Sequence, residues 1–162
     1  MIRRTATIHL FYCANSVTDA EFQELQTRLD TDGLKTLSLP CSGKATIPYL
    51  LKAFEKGADG VVLCTCPKSQ CKHLEGNLRA SKRVEAVQGL LEEVGFGKGR
   101  ILVVTKEQGQ IEKLIDGIQR LQVVCSVPAR ASKETPHGVT INEPGRAVLA
   151  GARASRRREN AA

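Results

Sequence analysis

Aromatic residues are scarce in this chain, which has no tryptophan, two tyrosines and four phenylalanines. A surface that stacks nucleobases needs aromatics interleaved with a basic stripe. The body of the chain has no such stripe, so nucleic acid is not the expected partner. No apolar run approaches the roughly 20 residues that cross a bilayer, so no membrane span is expected. The paired C-x2-C knuckles that usually frame structural zinc are absent. Also absent are a nucleophile–base triad and a pair of catalytic carboxylates. Gly95-Phe96-Gly97-Lys98-Gly99 has the glycines of a phosphate loop but lacks its Ser/Thr and following helix. It precedes a strand pattern and is expected to be a turn. There is no internal repeat.

What remains is the composition of a folded domain. The chain has 162 residues, 41% hydrophobic and 25% charged, enough for one core of ordinary size. The net charge is +7, and residues 125–162 hold seven Lys and Arg against three Asp and Glu. The densest part of that basic excess is Arg153 with Arg156-Arg157-Arg158. At the other end, Arg3-Arg4 precedes the stretch Thr5–Cys13, an order also found in secretory leaders. The stretch is short, carries two threonines and His9, and ends without a small-residue cleavage site. It fits a first strand better, and a cytoplasmic location is expected. Six cysteines in a reducing compartment point to metal or redox chemistry rather than to disulfides.

Strand and helix patterns alternate along the chain. Short β-branched or apolar runs at 7–12, 34–39, 60–65 and 100–105 predict strands. Helical periodicity at 19–29, 47–54, 74–94 and 111–124 predicts the helices between and after them. Thr18 with Glu21 three residues on is a capping-box signature for the first helix. The expected fold class is α/β, a flavodoxin-like three-layer parallel sheet of about four strands in the order 2-1-3-4. Residues 1–125 form that domain. Pro128, Pro136 and Pro144 break the periodicity beyond it, so residues 126–162 are expected to form an extended basic arm.

In this topology function gathers at the carboxyl ends of the strands. Cys13, Cys41 and Cys66 each lie just past a strand, and Cys71 follows in the loop 66–71. Neighbouring strands are about 4.8 Å apart, so three successive strand ends span about 10 Å, a gap that a loop closes. Cys13, Cys41, Cys66 and Cys71 are therefore the candidate metal ligands. Gly43 allows close backbone approach after Cys41, Pro67 turns the chain after Cys66, and the helix N-termini that follow favour thiolates. Cys64, inside the third strand, is expected in the core and is the reserve ligand. Cys125, placed after the fourth helix, is expected to pack without a nearby partner. His73 is expected at the surface near the site and His9 as an ordinary strand residue. Lys44, Lys68, Lys72, Arg79, Lys82 and Arg83 form either a positive rim or a solvated helix face. Four thiolates suit zinc, a 2Fe–2S or a 4Fe–4S cluster. Iron–sulfur is preferred because a parallel sheet has little need of a zinc staple.

At these residues the chain resembles the small iron–sulfur (delta) subunit of methyl-viologen-reducing hydrogenases, over roughly residues 7–125. The resemblance rests on Phe11-Tyr12-Cys13, Cys41-Ser42-Gly43, the run Lys52–Val61 with its Ala58-Asp59-Gly60 strand entry, Cys66 and Cys71, and Leu74-Glu75-Gly76-Asn77. It implies a 2Fe–2S cluster on Cys13, Cys41, Cys66 and Cys71. It further implies one-electron transfer between a redox partner and the flavin-containing subunit of a heterodisulfide-reductase-like complex in anaerobic metabolism. Such a protein is a subunit of an oxidoreductase complex rather than a stand-alone enzyme. The chain departs from the family at Ser16, where members carry a second cysteine, at the additional Cys64, and at the basic loop Lys68-Ser69-Gln70. Two readings of other classes compete: a thiol or metal redox sensor, and a structural zinc adaptor.

Overall fold

In the computed structural model the described residues are 5–126. Four strands, β1 (Ile8–Cys13), β2 (Leu34–Leu39), β3 (Gly60–Thr65) and β4 (Ile101–Thr105), form one sheet in the order β2-β1-β3-β4. Every pairing is parallel, with Ile8 opposite both Leu34 and Gly60, and Val61 opposite Ile101. The helices are α1 (Asp19–Arg28), α2 (Ile47–Glu55), α3 (Gly76–Glu93) and α4 (Ile111–Ser126). Single 3-10 turns at Ser42–Lys44 and Lys68–Gln70 follow β2 and β3.

Strand alternation sends two sets of side chains to opposite faces. Ile8, Leu10, Val62, Cys64 and Val104 pack with Leu25 of α1 and with Leu114, Ile118 and Leu121 of α4. Phe11, Val61, Leu63 and Ile101 pack with Leu50 and Ala53 of α2 and with Ala80, Val84, Val87 and Leu91 of α3. The three-layer α/β architecture follows. β3 is buried at all six positions, as expected of a central strand covered on both faces, whereas β2 is an edge strand exposed from Lys35 to Ser38. The capping box at Thr18 forms as its sequence predicts. The glycine-rich segment 95–99 is a turn, with positive φ at Gly95, Gly97 and Gly99.

Three expectations need correction. The third helix starts at Gly76 rather than Leu74, because Leu74 takes a left-handed conformation (φ 57°) that no helix contains. Leu78 and Val94, which belong to the apolar periodicity that predicts this helix, are 40% and 68% exposed. Cys125 does not follow the fourth helix but lies in its last turn, and it has a partner. Its thiol donates to the Asp59 carbonyl at 3.1 Å and packs against Gly60, where a Cβ would come within 2.7 Å of the sulfur. The expected arm lies outside the described residues except for Ser126, which ends α4. Among the described residues, no helix is long and apolar enough to cross a membrane.

Candidate metal centre

The strand order puts the C-terminal ends of β2, β1 and β3 side by side, and the cysteines lie there. Cys13 closes β1, Cys41 follows β2 after Pro40, and Cys66 follows β3 directly. All three are buried, while Cys71 is half-buried on its loop. Two loops make the convergence possible by touching at glycine. A Cβ on Gly43 would lie 3.0 Å from the Gly76 Cα, and a Cβ on Gly76 would lie 2.4 Å from the Cys41 sulfur and 3.5 Å from the Cys71 sulfur. The backbone after β2 and the first residue of α3 therefore approach without side chains between them, and the Cys41 sulfur occupies the space that a Gly76 side chain would need.

Polar side chains tie the cysteine segments together. Asn77, buried at the start of α3, donates its Nδ2 to the Cys66 carbonyl at 3.0 Å. Asn15 reaches from the turn after β1 to the Gln70 carbonyl at 3.0 Å. Arg83 of α3 donates to the carbonyls of Gly43 (2.6 Å) and Ala45 (3.3 Å), and so holds the loop that carries Cys41.

Neighbouring thiols act on Cys41, Cys66 and Cys71. Cys66 is pushed up to about 12, first by burial and then by the charges of Cys13 and Cys71 and by hydrogen bonding with both. Burial also pushes Cys41 up. The Gly43 amide, 3.4 Å from its sulfur, offsets part of that rise, and Cys13 and Cys71 add to it. For Cys71 burial acts in the same direction, but backbone N–H groups of Asn77, His73 and Gly76 together with the Cys66 thiol outweigh it. Cys71 is thus held below the ordinary thiol value, as thiols at a helix N-terminus commonly are. The part expected of His73 falls to its backbone, since its N–H is the group that reaches Cys71.

Cys64 stands apart. Its side chain is fully buried on the α1/α4 face, shares a hydrogen bond with the Ser16 hydroxyl (3.4 Å), and is pushed up to about 11 by burial. Of the six basic residues read as either a positive rim or a solvated helix face, Arg83 is engaged as described and Arg79 pairs with Glu75. Among the described residues no group of three or more His, Cys, Asp or Glu side chains is set to hold a metal ion.

One element of the site has no sequence signal. Lys106, just past β4, is fully buried, and its Nζ donates to Glu21 Oε1 (2.8 Å), the Ser16 carbonyl (2.6 Å) and the Glu107 carbonyl (2.9 Å). The Ser16 N–H and hydroxyl in turn donate to the Cys13 carbonyl, at 2.8 and 3.2 Å. A buried ammonium thus fixes the turn that follows the first cysteine. Glu21 completes the knot. Burial alone would raise its carboxyl, but hydrogen bonds from Lys106, Thr18 and the Gly109 amide hold it below the usual carboxylate range.

A 35% identical relative over 88 residues is the F420-non-reducing hydrogenase vhu iron-sulfur protein of Methanocaldococcus jannaschii, with 54% of this chain and 66% of the relative matched. Its counterpart in Methanococcus maripaludis is 30% identical over 88 residues, again with 54% of this chain and 66% of the relative matched. The chain thus spans just under two thirds of the length of these relatives. A 68-residue segment, 42% of this chain, is 28% identical to 9% of a subunit of the ferredoxin:CoB-CoM heterodisulfide reductase of Methanosarcina mazei. The family model described as methyl-viologen-reducing hydrogenase, delta subunit, matches residues 8–124, from the start of β1 nearly to the end of α4. The chain belongs to the methyl-viologen-reducing hydrogenase delta-subunit family.

Proposed function

We propose that the chain is an electron-transfer subunit carrying one 2Fe–2S cluster on Cys13, Cys41, Cys66 and Cys71. The observation that carries the reading is the placement of Cys13, Cys41 and Cys66 at adjacent strand ends with Cys71 on the loop after Cys66, and with backbone amides directed at the Cys41 and Cys71 sulfurs. The donor set fits the group, because iron–sulfur clusters are held by Cys thiolates and tuned by hydrogen bonds to the sulfurs. When bound, such a cluster takes up and releases one electron at a time. The chain's own residues do the rest. The amides of Gly43, Gly76 and Asn77 favour thiolate over thiol. Gly43 and Gly76 leave room for the Cys41 sulfur, and Lys106 and Asn77 hold the segments that bear Cys13 and Cys66.

A groove of about 400 Å³ opens beside Cys41 and Gly76, bordered by Lys44, His73, Leu74 and Arg79. Leu74 is 82% exposed and held at positive φ, an apolar side chain presented to solvent at the rim. This is the proposed approach of the redox partner. The relatives' names suggest a component of a hydrogenase or heterodisulfide-reductase-like complex as that partner, and the flavin-bearing subunit and the cytoplasmic location are what the family resemblance implies. The rival sensor and zinc-adaptor readings assign the same thiols to other chemistry.

Single Ser substitutions, with iron counted in anaerobically purified full-length protein, test the ligand set. Serine at position 13, 41, 66 or 71 is expected to lower iron by about tenfold or more. Cys64→Ser and Cys125→Ser are expected to retain it. Retention in any of the first four, or loss in Cys64→Ser, would redraw the site.

A further inference from the structure

A second pocket, of about 260 Å³, lies against the sheet face that α2 covers, where the edge strand β2 is open. It is bordered by His9 and Phe11 of β1, Lys35 of β2, and Tyr49, Lys52 and Lys56 of α2 and its C-terminus. None of its lining residues is acidic and none is a cysteine. Three lysines therefore face one concavity with no counter-charge in its wall. Lys35 and Lys56 lie close enough to His9 to lower its pKa, in addition to the larger effect of burial. His9 is only 9% exposed, and its Nε2 has no hydrogen-bond partner among the described residues. Buried polar atoms are almost always paired, and an orphaned ring nitrogen beside lysines calls for a missing partner. Phe11 packs against Tyr49 with ring centroids 5.3 Å apart and meets the His9 ring edge-on at 6.4 Å, which gives the pocket an aromatic wall.

We propose that this pocket binds a small molecule made of a planar apolar body and an anionic phosphoryl or carboxylate group. Its anion lies among Lys35, Lys52 and Lys56 and accepts from His9, and its ring lies against Phe11 and Tyr49. The volume sits just below the roughly 300 Å³ where drug-sized pockets begin, so the occupant is a single-ring molecule rather than a nucleotide. The three lysines supply long-range attraction, and the imidazole, fixed in the strand, supplies the directional contact. This inference is independent of the cluster assignment.

Phenyl phosphate combines both features in one probe. Isothermal titration of the full-length protein with phenyl phosphate, inorganic phosphate and phenol should show saturable binding of the first. Inorganic phosphate and phenol should each bind at least about tenfold more weakly, the scale of one lost contact of about 1.4 kcal/mol. The double variant Lys52→Ala/Lys56→Ala should lose at least about tenfold in phenyl phosphate affinity, because two of the three cations are gone. In ¹⁵N-labelled protein, the His9 Nε2 resonance should move with the same saturation curve. Affinity unchanged in the double variant would put the anion elsewhere, the basic C-terminal segment included, and would overturn the proposal. So would an unmoved His9 resonance, or inorganic phosphate binding as tightly as phenyl phosphate.

Discussion

Gly76→Ala is expected to fold normally and to carry about a tenth or less of the wild-type iron, the scale of loss when the surroundings of a metal site are disturbed. Gly76 opens α3 and does not have positive φ, so alanine meets no backbone strain there. The conflict is with sulfur. The added Cβ would lie 2.4 Å from the Cys41 Sγ, well inside van der Waals contact. A free thiol escapes such a clash by rotating about χ1. A thiolate bonded to iron does not, because its position is fixed by the metal. The substitution therefore separates folding from assembly. Gly89→Ala is the control, since a Cβ at that position in the same helix meets nothing within 4 Å. It should gain roughly 0.5–1 kcal/mol of stability and keep all of its iron. Circular dichroism with iron analysis on both variants checks the pair. Full iron and an unchanged visible spectrum in Gly76→Ala would show that Cys41 is not held against α3 as a ligand.

The second large effect is expected at Lys106. Lys106→Met removes one partner of a buried ion pair and should cost about 3–5 kcal/mol in urea unfolding of the full-length chain. It leaves the Glu21 carboxylate buried and uncompensated, and it takes the Lys106 donor from the Ser16 carbonyl. Adding Glu21→Gln should recover part of the loss, because it removes the buried charge, although its single amide oxygen replaces only one of the two carboxylate oxygens that accept from Thr18 and from Gly109. About 1–3 kcal/mol should remain missing for the orphaned Ser16 carbonyl. The same pair sets a pH dependence. The Glu21 carboxyl is depressed below its ordinary 4.5 in the fold, so its contribution is fully present above that value. It is lost as the pH falls through the lower folded value. Melting temperatures of wild type and Glu21→Gln should differ at pH 7 and converge below about pH 4.5. A constant difference down to about pH 3 would mean that the carboxylate carries no such linkage.

The fold is legible in the sequence wherever periodicity and local chemistry agree. The bounds of β2 and β3 match expectation to the residue, because Pro40 stops the first and Gly60 opens the unbroken apolar run of the second. Legibility fails where the backbone leaves the common conformations. Nothing in Leu74 announces φ 57°, so the helical pattern runs through it and counts the exposed Leu78 among its apolar positions. That Cys13, Cys41 and Cys66 lie at neighbouring strand ends is readable, because it follows from the strand order alone. The glycine–sulfur contact at Gly76 is not, since it depends on two loops far apart in the chain docking in one geometry. Lys106 is the least visible. Lysine is almost never fully buried, and its partner Glu21, 85 residues away, is already accounted for by the capping box with Thr18.

The proposed cluster, two irons held by Cys13, Cys41, Cys66 and Cys71 for one-electron transfer, is tested by counting iron and acid-labile sulfide per chain in anaerobically purified protein and by recording the EPR spectrum of the dithionite-reduced form. A coloured protein with about two irons and two sulfides that becomes EPR-active on reduction is expected. A colourless, redox-silent protein holding one zinc, or no metal after anaerobic reconstitution, would contradict it.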